Sequence, residues 1–368
     1  MAAGFELDLI TVGRSCIDLY GEQVGGRLED MRSFAKYVGG SPTNTAIGAA
    51  RLGLRSGVLT RVGTDHFGRH IREQLGREQV STRGVIDDPQ RLTALVILGI
   101  RDPDTFPLIF YREDCADMAL SVDDVDPAFI ASAGALLVSG THLSRPNVFE
   151  ASLRACQLAR QAGAKVVFDV DYRPVLWGLA GRDRGEDRFV ADPEVTGRLQ
   201  QILPLCDLVV GTEEELHILG GTTDTLAALR AIREATGALL VCKRGALGCV
   251  AFEADIPDSL DGAVAAPGYK HPMGLAVLGL ALKDKGQYAA AIAPLEQAAD
   301  LAPKWWMPRW GAAWAYFGQF KKGCPCGADD QARVQKMQAH YDQMVALGGK
   351  DAGLAERVKM LASGLKIK

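Results

Sequence analysis

Short apolar runs alternate with amphipathic stretches along the first 262 residues of the chain. The short runs are typical of buried strands, and the amphipathic stretches repeat apolar residues at helical spacing. This alternation predicts an α/β fold around a largely parallel sheet. The predicted strands are residues 7–12, 57–62, 135–139, 165–169, 205–211, 238–243 and 248–252. The predicted helices include residues 43–51, 68–75, 149–162, 194–202 and 225–235.

Several predicted strands end at glycine or polar residues, among them Gly13, Ser139, Asp169 and Gly211. Ligands bind at the carboxyl ends of strands in open α/β sheets, so we expect the functional site at this edge. Two further segments, 93–100 and 108–111, flank a turn and predict a β-hairpin that projects from the main sheet.

The pattern changes near residue 262. Strand-like runs cease, and four of the five tryptophans fall within residues 263–368, among segments typical of helices separated by glycine and proline. Residues 278–303 resemble a tetratricopeptide repeat, in which two antiparallel helices pack closely, and a second partial copy starts at Trp310. We therefore predict two domains, an α/β domain over residues 1–262 and an all-α, tetratricopeptide-like tail over residues 263–368.

Charge and composition exclude several classes of partner. The chain has 41 Lys and Arg residues against 45 Asp and Glu residues, which gives a net charge of −4. It therefore lacks the excess of basic residues that is typical of nucleic-acid-binding proteins. No apolar run approaches the roughly 18 residues of a membrane span, and the acidic start lacks the basic region of a signal peptide. The eight cysteines are interpreted as small hydrophobic residues of a reducing compartment. We expect a cytoplasmic protein that binds neither nucleic acid nor membrane.

The sharpest motif is Gly39-Gly40-Ser41-Pro42-Thr43-Asn44 at the start of a predicted helix. Two glycines let the backbone approach a ligand closely, and the Asn44 amide offers both a donor and an acceptor. The amino end of the helix would point its N–H groups at the same place. A tight turn that only caps the helix is the alternative interpretation.

The residues around this motif resemble one known family. Residues 39–53 and 61–68 match the amino-terminal signature of the ribokinase-like (PfkB) carbohydrate kinases. Residues 13–21, 169–177 and 242–249 are similar to a branch of that family that acts on keto-deoxy sugar acids in inositol catabolism. The resemblance covers residues 5–268. It implies a ribokinase-like, three-layer αβα sheet domain with a small β lid, and transfer of the γ-phosphoryl group of ATP, with Mg²⁺, to a sugar hydroxyl.

The same resemblance implies the roles of individual residues. Lid strands would lie at about 15–38 and 92–112. The sugar hydroxyls would be held by Asp18, Gly39, Gly40 and Asn44, with Tyr111 and Arg112 reaching in from the lid. Arg173 would face the acid group or the transferred phosphoryl group, a task that suits a guanidinium because it binds such anions bidentately. A surface ion pair is the alternative for Arg173.

The nucleotide side is implied in the same way. Glu214, within three adjacent glutamates, falls where the family organises magnesium and phosphate, and the nucleotide-facing turn corresponds to Lys243, Gly245 and Gly248. Without the resemblance, the three glutamates would indicate a solvated helix start. The protein alone is not expected to build a metal site: His66 and His70 lack a third ligand, and Cys324 and Cys326 lack a second cysteine pair.

One family motif is missing. The catalytic base of the family is the Asp of a Gly-Ala-Gly-Asp motif, whose backbone amides also stabilise the transferring phosphoryl group, and no such motif occurs in the 368 residues. The nearest imitation, Gly327-Ala328-Asp329-Asp330, makes Asp330 a candidate base, and residues 348–351 are a poorer imitation. Helix caps are the alternative for both.

Three hypotheses remain open at this point. The chain is a sugar kinase that acts on a keto-deoxy sugar acid with MgATP, with a homodimer through the lid as an expected assembly. Alternatively, it is an inactive kinase-like half fused to a helical-repeat module that binds a protein partner. A recombined reading frame is the third.

Overall fold

A computed structural model describes residues 4–101, 106–181, 184–187, 189–245, 249–260, 276, 279–280, 282–283, 286–303, 306–320 and 328–362. The chain divides into two compact units. The first contains residues 1–240 and 254–258, and the second contains residues 241–253 and 259–368.

The first unit is built on a parallel sheet. In spatial order this sheet contains β5 (Val85–Asp88), β4 (Ser56–Gly63), β1 (Leu9–Val12), β8 (Ala135–Ser139), β9 (Lys165–Asp169) and β10 (Leu208–Thr212). All of the neighbouring pairs run parallel, with Ile10 opposite both Gly57 and Leu136. A seventh strand, β11 (Leu239–Lys243), begins in this unit. The parallel α/β architecture is as predicted.

Helices connect these strands: α1 (Ser41–Arg51), α2 (His66–Arg77), α3 (Pro127–Ala131), α4 (Pro146–Gln161), α5 (Pro193–Gln200), α6 (Glu213–Gly220) and α7 (Thr225–Ala235). Aspartates cap several of them; Asp65 accepts hydrogen bonds from the N–H groups of Phe67 and Gly68 at 2.8 and 3.0 Å. The apolar faces of the helices close the core, in which Ile71 and Leu75 of α2 are fully buried. Cys156 and Cys206 are buried there too, as expected of small hydrophobic residues.

A second, four-stranded sheet forms the lid. Its order is β3 (Phe34–Gly39), β2 (Cys16–Gly21), β6 (Ala94–Leu98) and β7 (Leu108–Tyr111). β6 and β7 pair antiparallel, so the predicted hairpin is present, although its turn at 102–105 lies outside the described residues. Cys16, Ala94, Val96 and Cys115 form the apolar cluster beneath this sheet.

The largest differences from the predicted strands are one strand that starts later than predicted and one that was not predicted. The strand predicted at 205–211 starts later, because Leu203–Leu205 forms a 3₁₀ turn around Pro204 before β10 begins. β5 was not predicted, because half of its four residues are aspartates and it lies at the edge of the sheet.

The described part of the tail is helical, as predicted. It contains α8 (Tyr288–Leu301), α9 (Trp306–Gly318), α10 (Ala328–Ala346) and α11 (Ala352–Ala362), and β12 (Cys249–Phe252) precedes it in the second unit. α8 and α9 pack closely at small residues: a Cβ on Gly311 would overlap Leu295, and one on Gly318 would overlap the ring of Tyr288. The tetratricopeptide pattern stays a prediction, and several of its residues, such as 278 and 281, lie outside the described ranges. Among the helices described, none is long and apolar enough to cross a membrane.

Candidate active site

Asp18 and Gly39 lie side by side on the adjacent strands β2 and β3. The Asp18 carboxylate occupies the space in which a Cβ on Gly39 would sit, so only glycine fits there without displacing it. The Sγ of Cys16 donates to Oδ1 of Asp18 at 3.5 Å. Burial raises the pKa of the Asp18 carboxyl. The Asp18 carboxylate is half-buried, and Cys16 donates one hydrogen bond to it, so it is suited to accept hydrogen bonds from sugar hydroxyls.

The second glycine of the motif turns the chain into α1. Gly40 has a φ of +98°, which side chains rarely adopt, and a Cβ there would overlap the carbonyl oxygen of Arg14. The hydroxyl of Thr43 donates to the same oxygen at 2.8 Å. Ser41 donates to Oδ2 of Asp169 at 3.0 Å. The amino end of α1 is thereby fixed to Arg14, which follows β1, and to Asp169, the last residue of β9. Asn44, in the first turn of the helix, is exposed.

The two lid residues differ in their surroundings. Tyr111, at the end of β7, is 54% exposed. Arg112 is buried in an ion pair with Asp117 and contacts the Sδ of Met118 at 3.4 Å. Within the described residues, the Nε and Nη1 atoms of Arg112 have no hydrogen-bond partner.

Arg173 follows β9 and faces two carboxylates. Its Nη2 lies 3.6 Å from Oδ1 of Asp171, and its Nη1 lies 3.5 Å from Oε1 of Glu215. Nη1 also donates to the backbone oxygen of Tyr172 at 2.7 Å. The side chain is 24% exposed, so it is neither a free surface cation nor a fully buried one.

A buried polar cluster lies at the same edge of the sheet; of its residues, only Ser139 was identified in the sequence, as the end of a strand. Arg14, directly after β1, donates to Oδ2 of Asp171 at 2.5 Å, and Ser139, the last residue of β8, donates to the same oxygen at 2.8 Å. His142 is buried beside them without a hydrogen-bond partner among the described residues. Burial and the nearby charges of Arg112 and Arg14 lower the pKa of His142 to about 3. Each of these residues ends a predicted strand or closely follows one, and this position at the carboxyl edge of the sheet is the signal that could have found them.

The residues implied for the nucleotide side lie in both units. Glu214 is exposed in the first turn of α6, next to a capping box formed by Thr212 and Glu215. A single exposed carboxylate fits Mg²⁺, which binds proteins through one or two carboxylates and completes its shell with phosphates and water. Lys243 ends β11 in the second unit, Gly245 has a φ of +52°, and Gly248 lies outside the described residues.

Asp330 is the third residue of α10. It forms an ion pair with Arg333 at 2.8 Å and is partly buried. Asp351, from the second imitation of the motif, accepts hydrogen bonds from the ring nitrogens of Trp310 and Trp314 at 2.7 and 2.9 Å, and from the N–H of Leu354. It therefore caps α11 and holds the tryptophans of the tail.

The described residues contain no group of three or more His, Cys, Asp or Glu side chains that could hold a metal ion. Nδ1 of His66 is hydrogen-bonded to Arg69 at 2.7 Å. Cys324 and Cys326 lie outside the described ranges.

Comparison with known proteins gives consistent matches. A model of the pfkB family of carbohydrate kinases matches residues 6–270. The 5-dehydro-2-deoxygluconokinase of Halalkalibacterium halodurans is 36% identical over 251 residues, which are 67% of this chain and 72% of that protein. The enzyme of the same name from Shouchella clausii is 38% identical over 221 residues, which are 60% of this chain and 64% of that protein.

Solved structures agree on the fold. The PfkB protein from Polaromonas sp. JS666 superposes with a TM-score of 0.60 at 28% identity, covering 82% of this chain and 94% of that one. A putative Ribokinase II from E. coli, solved with ATP and Mg²⁺, gives a TM-score of 0.61 at 18% identity, covering 92% and 99% of the two chains. The predicted ribokinase-like α/β fold is confirmed.

Proposed function

The chain belongs to the pfkB family of carbohydrate kinases, and from this premise we propose that it transfers the γ-phosphoryl group of MgATP to a keto-deoxy sugar acid. The proposed substrate is 5-dehydro-2-deoxy-D-gluconate of inositol catabolism, because relatives aligned over two thirds of the chain are named 5-dehydro-2-deoxygluconokinase. The proposal depends most on the position of Arg173, whose guanidinium lies partly exposed at the carboxyl end of β9. An arginine so placed suits a carboxylate-bearing sugar.

Other residues take their proposed roles from their positions. Asp18 would accept hydrogen bonds from sugar hydroxyls beside Gly39, and Asn44 would bind another hydroxyl from the exposed face of α1. Exposed Tyr111 would close over the sugar from the lid. The role proposed for Arg112 in the lid rests on the family resemblance alone, because its side chain is buried in the ion pair with Asp117.

MgATP would supply the phosphoryl group and the positive charge that its transfer requires. Glu214 would bind the Mg²⁺ through its exposed carboxylate. Lys243, Gly245 and Gly248 would form the nucleotide-facing turn. We place the protein in the cytoplasm, with a homodimer through the lid as its proposed assembly.

A second function is favoured by the missing Gly-Ala-Gly-Asp motif. Loss of a single oxyanion donor slows comparable enzymes about 10²- to 10³-fold, and here the base and its neighbouring amides are absent together. The chain would then be an inactive kinase-like unit joined to a helical module, the tail from residue 263, that binds a protein partner.

A coupled ADP-release assay with MgATP and 5-dehydro-2-deoxy-D-gluconate tests these alternatives. Wild type is compared with Asp330→Asn and with Asp342→Asn, which removes an exposed carboxylate from the same helix. Turnover abolished only in Asp330→Asn would identify Asp330 as the base. Turnover unaffected by both variants would indicate another base.

Calorimetric binding of the sugar acid decides the remaining cases. Binding without turnover would support the inactive kinase-like unit. A chain that binds neither the sugar acid nor ATP contradicts the kinase proposal.

A further inference from the structure

Four charged side chains form a continuous series of ion pairs across the carboxyl ends of β1, β9 and β10. Arg14 contacts Asp171 at 2.5 Å, Asp171 contacts Arg173 at 3.6 Å, and Arg173 contacts Glu215 at 3.5 Å. Positive and negative groups alternate along the series. Because the four formal charges cancel, the series carries no net charge toward a ligand.

Asp171 is the centre of this series. Its two carboxylate oxygens are divided between the arginines, Oδ2 contacting Arg14 and Oδ1 contacting Arg173. Ser139 donates to Oδ2, and the hydroxyl of Thr141 donates to the backbone oxygen of Asp171. The backbone φ of Asp171 is +33°, in the left-handed region that aspartate adopts more often than most residues other than glycine. The carboxylate is therefore held in place from several directions.

Glu215 holds the other side of Arg173. Its Oε2 accepts a hydrogen bond from the N–H of Thr212 at 2.7 Å, and its own N–H donates to the Thr212 hydroxyl at 3.2 Å. This capping box ties the carboxylate to the start of α6. Arg173 thus lies between two anchored carboxylates, and a guanidinium has five N–H donors, more than these contacts use.

We propose that Asp171 is a positioning residue that orients Arg173 so that its remaining donors meet the carboxylate of the sugar acid. This inference rests on the proposed function. Its prediction for the binding of an anion by Asp171→Asn is opposite to the prediction from Coulomb attraction alone. Removing the negative charge of Asp171 leaves a net positive site, which by Coulomb attraction alone would bind an anion more tightly. If orientation is what Asp171 provides, binding becomes weaker instead.

The test measures calorimetric binding of 5-dehydro-2-deoxy-D-gluconate to wild type, Asp171→Asn, Arg173→Ala and the double variant. We expect Asp171→Asn to weaken binding about tenfold, because the variant removes the charge that faces Nη2 of Arg173 at 3.6 Å and leaves the guanidinium free to turn away. The double variant should bind no worse than Arg173→Ala, because an arginine that is absent cannot be oriented. The matched control is Asp87→Asn, which removes an exposed carboxylate paired with Arg72 and makes the same change in net charge.

Unchanged or tighter binding by Asp171→Asn overturns the inference, as do losses that add in the double variant. Glu215→Gln serves as a second variant if Asp171→Asn does not fold, because glutamine preserves a capping box while removing the charge that faces Arg173. It too should weaken binding.

A measurement without ligand separates this inference from the proposed function. In ¹⁵N NMR of the free protein, we expect a slowly exchanging Nη2–H signal of Arg173 in wild type and in Asp87→Asn, because Nη2 is the atom that faces Asp171, and we expect this signal to be lost in Asp171→Asn. If wild type fails to bind the sugar acid, the proposed substrate is wrong, and this signal alone decides whether Asp171 orients Arg173. A signal that persists in Asp171→Asn refutes the positioning role.

Discussion

The carboxylate of Asp18 fills the space beside Gly39 that any larger residue would need. The two residues lie on neighbouring antiparallel strands of the lid sheet, β2 and β3. The absence of a side chain at position 39 therefore sets where the Asp18 carboxylate lies, and with it the position of a proposed sugar-binding group.

Gly39→Ala should displace that carboxylate and weaken binding of the sugar acid about tenfold to 100-fold, because a shift of about 1 Å in a binding group can have effects of this size. Overpacking should also lower the free energy of unfolding by about 1–3 kcal/mol. Calorimetry and urea unfolding measure the two effects. The control is Gly48→Ala in α1, where a Cβ meets no atom within 4 Å and should stabilise the helix by about 0.5–1 kcal/mol. Equal binding by wild type and Gly39→Ala would contradict this role of Gly39.

Gly40→Ala should destabilise the first unit more than an ordinary substitution at positive φ. A φ of +98° is unfavourable for alanine, and its Cβ would in addition overlap the carbonyl of Arg14. Gly163→Ala is the matched control, since Gly163 has a φ of +77° and open space around its Cβ position. We expect the control to lose about 1–2 kcal/mol and Gly40→Ala to lose clearly more, both measured by urea unfolding. Equal losses would mean that the close approach to Arg14 is unimportant.

The strands that position the site could be predicted because their patterns are simple. Residues 135–138 and 166–168 are continuous apolar runs followed by a polar residue, and β8 and β9 have the predicted bounds, 135–139 and 165–169. The start of β10 could not be predicted, because Leu203 and Leu205 are as apolar as a strand but surround Pro204. Local pattern does not distinguish a short apolar turn from the first residues of a buried strand.

The same limit applies to the site. Gly39 and Gly40 could be identified because a glycine pair directly before a predicted helix indicates close approach of the backbone to a ligand. The contact between Arg14 and Asp171 joins residues 157 positions apart, and only the order of β1, β8 and β9 in the sheet brings them together. His142 lies three residues after the predicted strand 135–139, but the local pattern does not show that its ring is buried, because burial depends on the packing of the surrounding segments.

His142 should make the first unit less stable in mild acid. Its pKa in the folded protein, about 3, lies below its ordinary value of about 6.5, so the unfolded chain binds the proton more readily. Stability contributed by the neutral ring is complete above about pH 6.5 and is lost progressively as the pH falls toward 3. Between about pH 7 and 5.5 the loss should be roughly 1 kcal/mol.

Hydrogen exchange of the β8 amides at the two pH values, corrected for the intrinsic exchange rate, measures this loss. His142→Leu should reduce the difference, because leucine takes up no proton. The same substitution at exposed His66 should leave the difference as in wild type. A pH dependence that is identical in all three proteins would exclude His142 as its source.

Leu295 should be the critical packing residue of the helical tail. It is fully buried in α8, and its side chain lies so close to Gly279 and Gly311 that a Cβ at either position would overlap it. Leu295→Ala should lower the free energy of unfolding by about 2–5 kcal/mol, the usual range for a leucine truncated in a core. Leu301→Ala, a half-exposed leucine at the end of the same helix, should change it little. Because four of the five tryptophans lie after residue 262, tryptophan fluorescence during urea unfolding reports mainly on this part of the chain. A similar midpoint for Leu295→Ala and Leu301→Ala would show that the glycine-lined contact between α8 and α9 does not hold the tail together.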